Sequence, residues 1–196
     1  MSQIWAIILA AGESKRMRLP KMLLPFRGST IIEQVIENTI NSQVDDTVVV
    51  LGSGSDEIIK VISNWPVRYC VNSNYRDGML SSVKCGFRFL PSSYEAALVF
   101  PGDQPFIKPE VTDLLIDAFR KSNKGIVIPV SGSKRGHPIL ISSEYHEDIM
   151  CLRPEEGLRE LPGKHPADVL EVDTATNDIL VDIDTPEDYH KELKNR

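Results

Sequence analysis

Leu9 to Lys21 reads L-A-A-G-E-S-K-R-M-R-L-P-K, an apolar run that closes in small residues and opens into a stretch carrying Lys15, Arg16, Arg18 and Lys21. Ala10, Ala11 and Gly12 let a ligand come close to the main chain, whose N–H groups can bind phosphate oxygens while Arg16 and Lys21 neutralise their charge. The chemistry this suits is polyphosphate binding. It is not a P-loop, because G-x-x-x-x-G-K-[ST] requires glycine where Met17 stands. A solvated basic turn after a strand is the plainer alternative. The matching anions come later in the chain. Asp103, in P-G-D-Q-P, follows the apolar run Leu98-Val99-Phe100 and is the best single magnesium ligand, since Mg²⁺ takes one or two protein carboxylates and completes its shell with water and phosphate. Its competitor is a carboxylate that only caps a proline-rich turn.

Asp182 and Asp184 alternate along Val181-Asp182-Ile183-Asp184, so in a strand only one of them faces a pocket. Either could be a second Mg²⁺ contact, or both could be simply solvated. The residues that follow announce a helix: Thr185 as N-cap, Pro186 at the first helical position, then Glu187 and Asp188 in the first turn. Gly52-Ser53-Gly54-Ser55-Asp56-Glu57 superficially resembles a dinucleotide fingerprint, but Glu57 replaces the third glycine and puts a negative charge where a pyrophosphate would sit. It reads better as a tight turn into a helix capped by Ser55 or Asp56.

These groups need a frame that brings them together. Ile4 to Leu9, Thr47 to Leu51, Val67 to Val71, Ala97 to Phe100 and Ile126 to Val130 are short Val/Ile-rich runs without polar alternation, as expected of strands covered on both faces. Between them, Ile31, Ile32, Val35, Ile36, Thr39 and Ile40, and then Val111, Leu114, Leu115, Ala118 and Phe119, recur at the spacing of one helix face. The alternation predicts an α/β fold, a mostly parallel mixed sheet with helices on both faces and ligands beyond the carboxyl ends of its strands. Pro138 to Ile141, Val169 to Val172 and Ile179 to Ile183 are closely spaced strand-like runs, which predict a partly antiparallel later portion.

With 196 residues, a hydrophobic share of 41% and no repeat or linker-like tract, one domain spanning residues 1–196 is expected. A formal net charge of −6 argues against nucleic acid and anionic membrane surfaces, so any anionic ligand must be held by basic residues gathered locally. The three cysteines form no C-x-x-C pair, which fits a reducing, cytoplasmic location. The opening apolar run is far shorter than the roughly 18 residues of a membrane span.

Taken in order, L-A-A-G-x-S-x-R-M-x-x-P-K at Leu9 to Lys21, G-D-Q-P at Gly102 to Pro105, R-G-H-P at Arg135 to Pro138 and D-I-D-T-P-E-D at Asp182 to Asp188 resemble the MobA-like nucleotidyltransferase family over essentially the whole chain. The L-A-A-G and G-D-Q-P forms are similar to its molybdenum cofactor cytidylyltransferase branch. The sequence departs from the pattern at Arg18, where the family usually has glycine. The resemblance implies a Rossmann-like nucleotidyltransferase fold, with a nucleotide-binding N-terminal part and an acceptor-binding C-terminal part. It implies that the backbone of Leu9, Ala10, Ala11 and Gly12 reads the cytosine and ribose side, that Arg16 and Lys21 bind the triphosphate, and that Asp103 and Asp184 hold Mg²⁺, with Asp182 as the alternative. Gly78-Met79-Leu80-Ser81-Ser82 matches a G-M-x-x-S stretch in which a helix N-terminus faces the nucleotide and Ser81 or Ser82 hydrogen-bonds base or sugar. Ordinary capping with Met79 in the core is the plainer reading there. Gly136 and His137 fall on the acceptor side.

The reaction so implied is transfer of CMP from Mg-CTP to the terminal phosphate of molybdopterin, with Arg16, Lys21 and Asp103 catalytic and a molybdoenzyme as final recipient. The alternatives are the same chemistry on a sugar phosphate or another phosphorylated acceptor, and a non-catalytic molybdopterin carrier or maturation partner. A nicotinamide-dependent oxidoreductase is the weakest reading, because the dinucleotide fingerprint fails at Glu57.

Overall fold

Along the first strand, β1 (Gln3–Ala10), Ile4, Ala6, Ile8 and Ala10 face one side and Trp5 and Ile7 the other, and all six are buried. A strand with no polar face has to be central. In the computed structural model, which describes residues 3–17 and 19–195, it lies between two parallel partners. The chain runs from β1 through a short hairpin, β2 (Pro25–Phe26) and β3 (Ser29–Thr30), into α1 (Ile31–Ile40), β4 (Asp46–Leu51), α2 (Ser55–Ile62) and β5 (Arg68–Val71). It returns through α3 (Met79–Phe89) to β6 (Tyr94–Pro101), and through α4 (Pro109–Lys121) to β7 (Ile126–Ser131). A short ribbon of β8 (Lys134–Arg135) and β9 (Ile139–Ser142) leads to α5 (His146–Cys151), α6 (Glu160–Lys164), β10 (Val169–Asp173) and the closing helix α7 (Pro186–Asn195).

The sheet has eight strands in the order β10-β7-β9-β6-β1-β4-β5, with β8 paired to β7. It is parallel except where β9 runs against β6 and β7, and where β8 turns back on β7. Helices α1, α2 and α4 cover one face through Ile36, Ile58 and Leu115, and α3, α5 and α6 cover the other through Val83, Phe87, Ile149 and Leu161. From β1 the chain crosses toward β4, and from β6 it crosses the opposite way toward β7, so the switch point lies between the carboxyl ends of β1 and β6. The basic loop and the G-D-Q-P turn both begin there.

Local chemistry sets the helix starts. At α1, Thr30 and Glu33 form a reciprocal capping box. At α7, the Asp188 main chain donates to the hydroxyl of Thr185, the cap that the sequence predicts, at 3.2 Å, and the Asp188 carboxylate returns a bond by accepting from the Thr185 main chain at 2.9 Å. The cap of α2 differs from expectation: Gly54, at φ 67°, takes the position expected of Ser55 or Asp56. A left-handed residue is needed to turn out of β4, and glycine adopts that conformation without strain.

Two strand expectations need correction. Arg68–Val71 is a sheet edge, with Tyr69 and Val71 exposed, so it is not covered on both faces. Residues Ile179 to Ile183 form no strand. Asp178–Leu180 is a 3₁₀ turn, and the residues after it cross the ends of the central strands as a strap. The strap is held by two main-chain bonds, His137 N–H to the Ile179 carbonyl at 3.1 Å and Ile183 N–H to the Asp103 carbonyl at 3.0 Å. Its apolar residues mimic strand alternation because Ile179 and Ile183 are both fully buried. All three cysteines are free thiols, and among the described residues no helix is long and apolar enough to cross a membrane.

Candidate active site

The basic loop is shaped before it meets any ligand. Ser14 adopts φ 52° and its carbonyl accepts from the Met17 main chain at 3.0 Å, while its hydroxyl accepts from the Lys21 main chain at 3.3 Å. Met17 drops into a small apolar cluster with Phe26, Ile31, Phe106 and Ile183. That cluster joins the loop to the strap, and so places Asp184, next to Ile183, beside the cations. Across the switch point the Gly102 N–H donates to the Leu9 carbonyl at 2.9 Å, and a Cβ at position 102 would stand 2.7 Å from that oxygen. The absence of a side chain at Gly102 is what lets the Asp103 turn close onto β1.

The outcome is a compact charge cluster. Lys21 Nζ donates to Asp103 Oδ2 at 2.5 Å and to Asp184 Oδ1 at 2.8 Å, and Arg16 Nη2 donates to Asp184 Oδ2 at 2.7 Å. Lys21 is nearly enclosed, with 10% of its side chain exposed, whereas Arg16 is largely in solvent at 69%. Burial alone would lower the Lys21 pKa, but Asp103 and Asp184 more than offset it and hold the ammonium above the ordinary lysine value. Burial likewise opposes ionisation of Asp184, and the Lys21 hydrogen bond and charge keep its carboxyl below the usual aspartate value. Asp182 lies on the solvent side. Lost hydration and the neighbouring Asp184 and Asp103 charges push its carboxyl upward. Arg18 lies outside the described residues.

A cavity of about 420 Å³ opens over this cluster, lined by Leu9, Ala11, Gly12, Arg16, Lys21, Asp103 and Asp184. Ala10 buries its side chain in the core under β1, so only its main chain could face the cavity. Ser82 lines the cavity and Ser81 does not; Ser81 donates instead to the Gly78 carbonyl at 2.8 Å. Met79 stands at the rim, 68% exposed, rather than in the core. Sequence reasoning missed Glu13, Tyr75 and Arg76 on the same wall. Glu13 bridges Lys15 at 2.8 Å and Arg76 at 3.6 Å, and the Lys15 hydrogen bond leads the contacts that keep its carboxyl low. The nearest signal for Arg76 is its place just before the G-M-x-x-S stretch.

A second cavity, about 500 Å³, adjoins the first and shares Leu9, Met79 and Pro101 with it. Its floor is apolar, from Val83, Val99, Ile128 and Ile139, and its rim carries Arg135, Gly136, His137, Glu156 and Arg159. Gly136 fits tightly, because a Cβ there would meet the Ile179 carbonyl at 2.5 Å. Burial pushes the His137 pKa down against the opposing pull of Asp103, and its Nδ1 is buried with no partner among the described residues.

The donor set allows a definite test for a metal. Among the described residues no group of three or more His, Cys, Asp or Glu side chains is disposed to hold an ion. Two carboxylates do converge on one cation, the Lys21 ammonium. That pairing fits a divalent ion of the magnesium type, which is held by one or two carboxylates and completed by phosphate and water, and does not fit an all-protein cage.

An α/β protein with a doubly wound sheet and a charged cavity at its switch point is of the Rossmann-like, nucleotide-handling class. Residues 6–169 match the MobA-like NTP transferase domain, and the chain belongs to that family of nucleotidyltransferases. It is 32% identical over 196 residues to the molybdenum cofactor cytidylyltransferase of Escherichia coli K12, covering 96% of this chain and 95% of that one. It is 34% identical over 124 residues to a probable molybdenum cofactor guanylyltransferase of Methanosarcina acetivorans, covering 60% of this chain and 52% of the relative. In structure it is similar to Rv0371c of Mycobacterium tuberculosis H37Rv, with a TM-score of 0.85, 24% identity and 99% of each chain covered. A second structure of that protein, in complex with manganese, superposes with a TM-score of 0.82 at 23% identity over 100% of both chains.

Proposed function

We propose that this chain transfers CMP from Mg-CTP to the terminal phosphate of molybdopterin and releases pyrophosphate. The observation that carries the reading is the pair of adjoining cavities: one charged and backed by the main chain of the first loop, one apolar with a mixed rim of Arg135, His137, Glu155, Glu156 and Arg159, joined at Leu9, Met79 and Pro101. A nucleotide triphosphate suits the first, and a flat heterocycle bearing a phosphate suits the second. The match to the cytidylyltransferase of E. coli, which spans almost the whole of both chains, favours CTP and the molybdenum cofactor over the other nucleotides and acceptors used by relatives. On this reading residues 1–196 act as one nucleotidyltransferase domain in the cytoplasm, and the product passes to a molybdoenzyme.

The main chain at Leu9, Ala11 and Gly12 lies against the nucleoside, and Lys21 and Arg16 turn from their carboxylate partners to the triphosphate. Asp103 and Asp184 would hold Mg²⁺, which when bound neutralises phosphate charge. The acceptor phosphate is already anionic at neutral pH and needs no general base. Its oxygen forms the new bond to the α-phosphorus as the bond from that phosphorus to the departing pyrophosphate breaks. Bringing two anions together is the main obstacle, so the acceleration comes from positioning and from the cations that neutralise the departing pyrophosphate. Gly136 and His137 lie on the acceptor side, where a neutral imidazole can hydrogen-bond without adding charge.

The test is pyrophosphate release measured with each of four nucleotide triphosphates, with and without molybdopterin. Release that requires both CTP and molybdopterin is expected. Preference for GTP, or for a sugar phosphate as acceptor, would overturn the assigned substrates, and tight CTP binding without release would mark a carrier. Lys21→Ala and Asp103→Ala should each lower turnover at least about a hundredfold, the scale of losing one charge-stabilising contact.

A further inference from the structure

Just past the carboxyl end of β5 stands Asn72, a buried side chain that lines neither cavity. One partner fixes its orientation. Asn72 Oδ1 accepts from the Asn74 main-chain N–H at 3.0 Å, and since that group can only donate, the amide nitrogen must face the other way. There Nδ2 donates to Ser81 Oγ at 2.8 Å and to Ser82 Oγ at 3.0 Å. A primary amide has two protons, so each serine oxygen receives one and each serine must place its own hydroxyl proton elsewhere. Ser81 places it locally, with the Gly78 carbonyl at 2.8 Å and the Asn74 carbonyl at 2.9 Å. Ser82 has no acceptor for its proton among the described residues, is 4% exposed, and lines the charged cavity. A buried hydroxyl proton without an acceptor is costly unless a ligand supplies one.

We infer that Asn72 is a positioning residue which commits the Ser82 hydroxyl to donate a hydrogen bond to an acceptor oxygen or nitrogen of the bound nucleoside. This rests on the reading of the cavity as the nucleotide site. Asn72 does not touch the ligand. It saturates one lone pair of Ser82 and so directs the proton into the cavity. Ser81, bound by the same amide, is excluded from that role because its proton is used within the turn.

Calorimetric titration of the full chain with Mg-CTP tests this through Ser82→Ala, Ser81→Ala, Asn72→Asp and the Asn72→Asp/Ser82→Ala double variant, each checked for retained fold by circular dichroism. Ser82→Ala should weaken binding roughly three- to tenfold, the range of one hydrogen bond, and several times more than Ser81→Ala. An aspartate at 72 can only accept, so it captures the Ser82 proton. Its cost should therefore be markedly smaller when Ser82 is already alanine, a coupling that a general charge or packing effect does not produce. In turnover the change should fall on KM for the nucleotide rather than on kcat. Equal losses from Asn72→Asp in both backgrounds, or Ser82→Ala binding no more weakly than Ser81→Ala, would overturn the inference. Should Asn72→Asp not fold, Asn72→Ala takes its place in the same cycle: a loss that shrinks in the Ser82→Ala background supports the inference, and equal losses overturn it. Failure of the unmodified protein to bind Mg-CTP would instead overturn the nucleotide reading, and this inference with it.

Discussion

Lys21 is the residue on which the charged cavity turns, because its ammonium already satisfies Asp103 and Asp184 before any phosphate arrives. Removing it leaves two carboxylates facing each other with only the exposed Arg16 to compensate. Breaking a buried ion pair costs roughly 3–5 kcal/mol, and the residual hydration of Asp103 and Asp184 places this site at or below the lower end of that range. Lys21→Ala should therefore melt earlier than the unmodified chain. A divalent cation at the same carboxylates would supply the missing charge, so millimolar Mg²⁺ or Mn²⁺ should raise the melting temperature of Lys21→Ala more than that of the unmodified protein. A Lys21→Ala/Asp103→Asn double variant should lose most of that rescue. Equal responses to metal in all three proteins would show that these carboxylates do not form a cation site.

At the scale of elements, what the sequence made legible was whatever local periodicity or capping chemistry dictates. Helix α1 begins and ends where the Ile31-to-Ile40 pattern does, and α7 starts at the Thr185-Pro186 signal. The strap at 178–184 was not legible as such, since buried Ile179 and Ile183 produce the same alternation whether or not a neighbouring strand takes up the main-chain bonds. Helices α5 and α6 are too short to show a face, and the segment between them is held by side chains instead. Glu156 is central there: the Arg153 main-chain N–H at 2.6 Å and Lys164 at 2.9 Å hold its carboxyl down to about 2. A depressed folded value means that the stabilisation is present above the unfolded value of 4.5 and is lost as pH falls toward 2. Glu156→Gln should thus be less stable than the unmodified chain at neutral pH, and the gap in denaturation midpoint should close on acidification through that window. A gap that stays constant with pH would remove the ionic explanation. Packing sets a separate constraint on α3, where a Cβ on Gly86 would stand 2.5 Å from Ile7 Cγ2. Gly86→Ala should cost about 1–3 kcal/mol in urea unfolding, as overpacking a close helix–sheet contact does.

Taken whole, the molecule carries a net charge of −6 yet gathers Arg16 and Lys21 with their carboxylate partners at one point, the switch between β1 and β6. The individual members of that site were readable as residue types, but their meeting was not. Lys21 and Asp184 are 163 positions apart, and only the crossing of the strap and the Met17–Ile183 contact region brings them within 2.8 Å. Asn72, Arg76 and Glu156 carried no motif at all, because their importance lies in partners that the fold supplies. A site assembled from the first loop, the β6 turn and the C-terminal strap ties together segments from both ends of the chain, so its ligand should stabilise the entire fold. At a hundred times its dissociation constant, a ligand that binds only the native state adds about 2.7 kcal/mol. For a chain of this length each kcal/mol raises the melting temperature by roughly 2–4 °C, so saturating Mg-CTP should raise it by roughly 5–11 °C. Chelating the metal should remove much of that shift, because Asp103 and Asp184 would then face the triphosphate without a bridging cation. GTP at the same concentration should give a distinctly smaller shift. Equal shifts with GTP would mean that the first loop reads phosphates and not the base, which would leave the cytidylyl assignment without support from this chain's own binding behaviour.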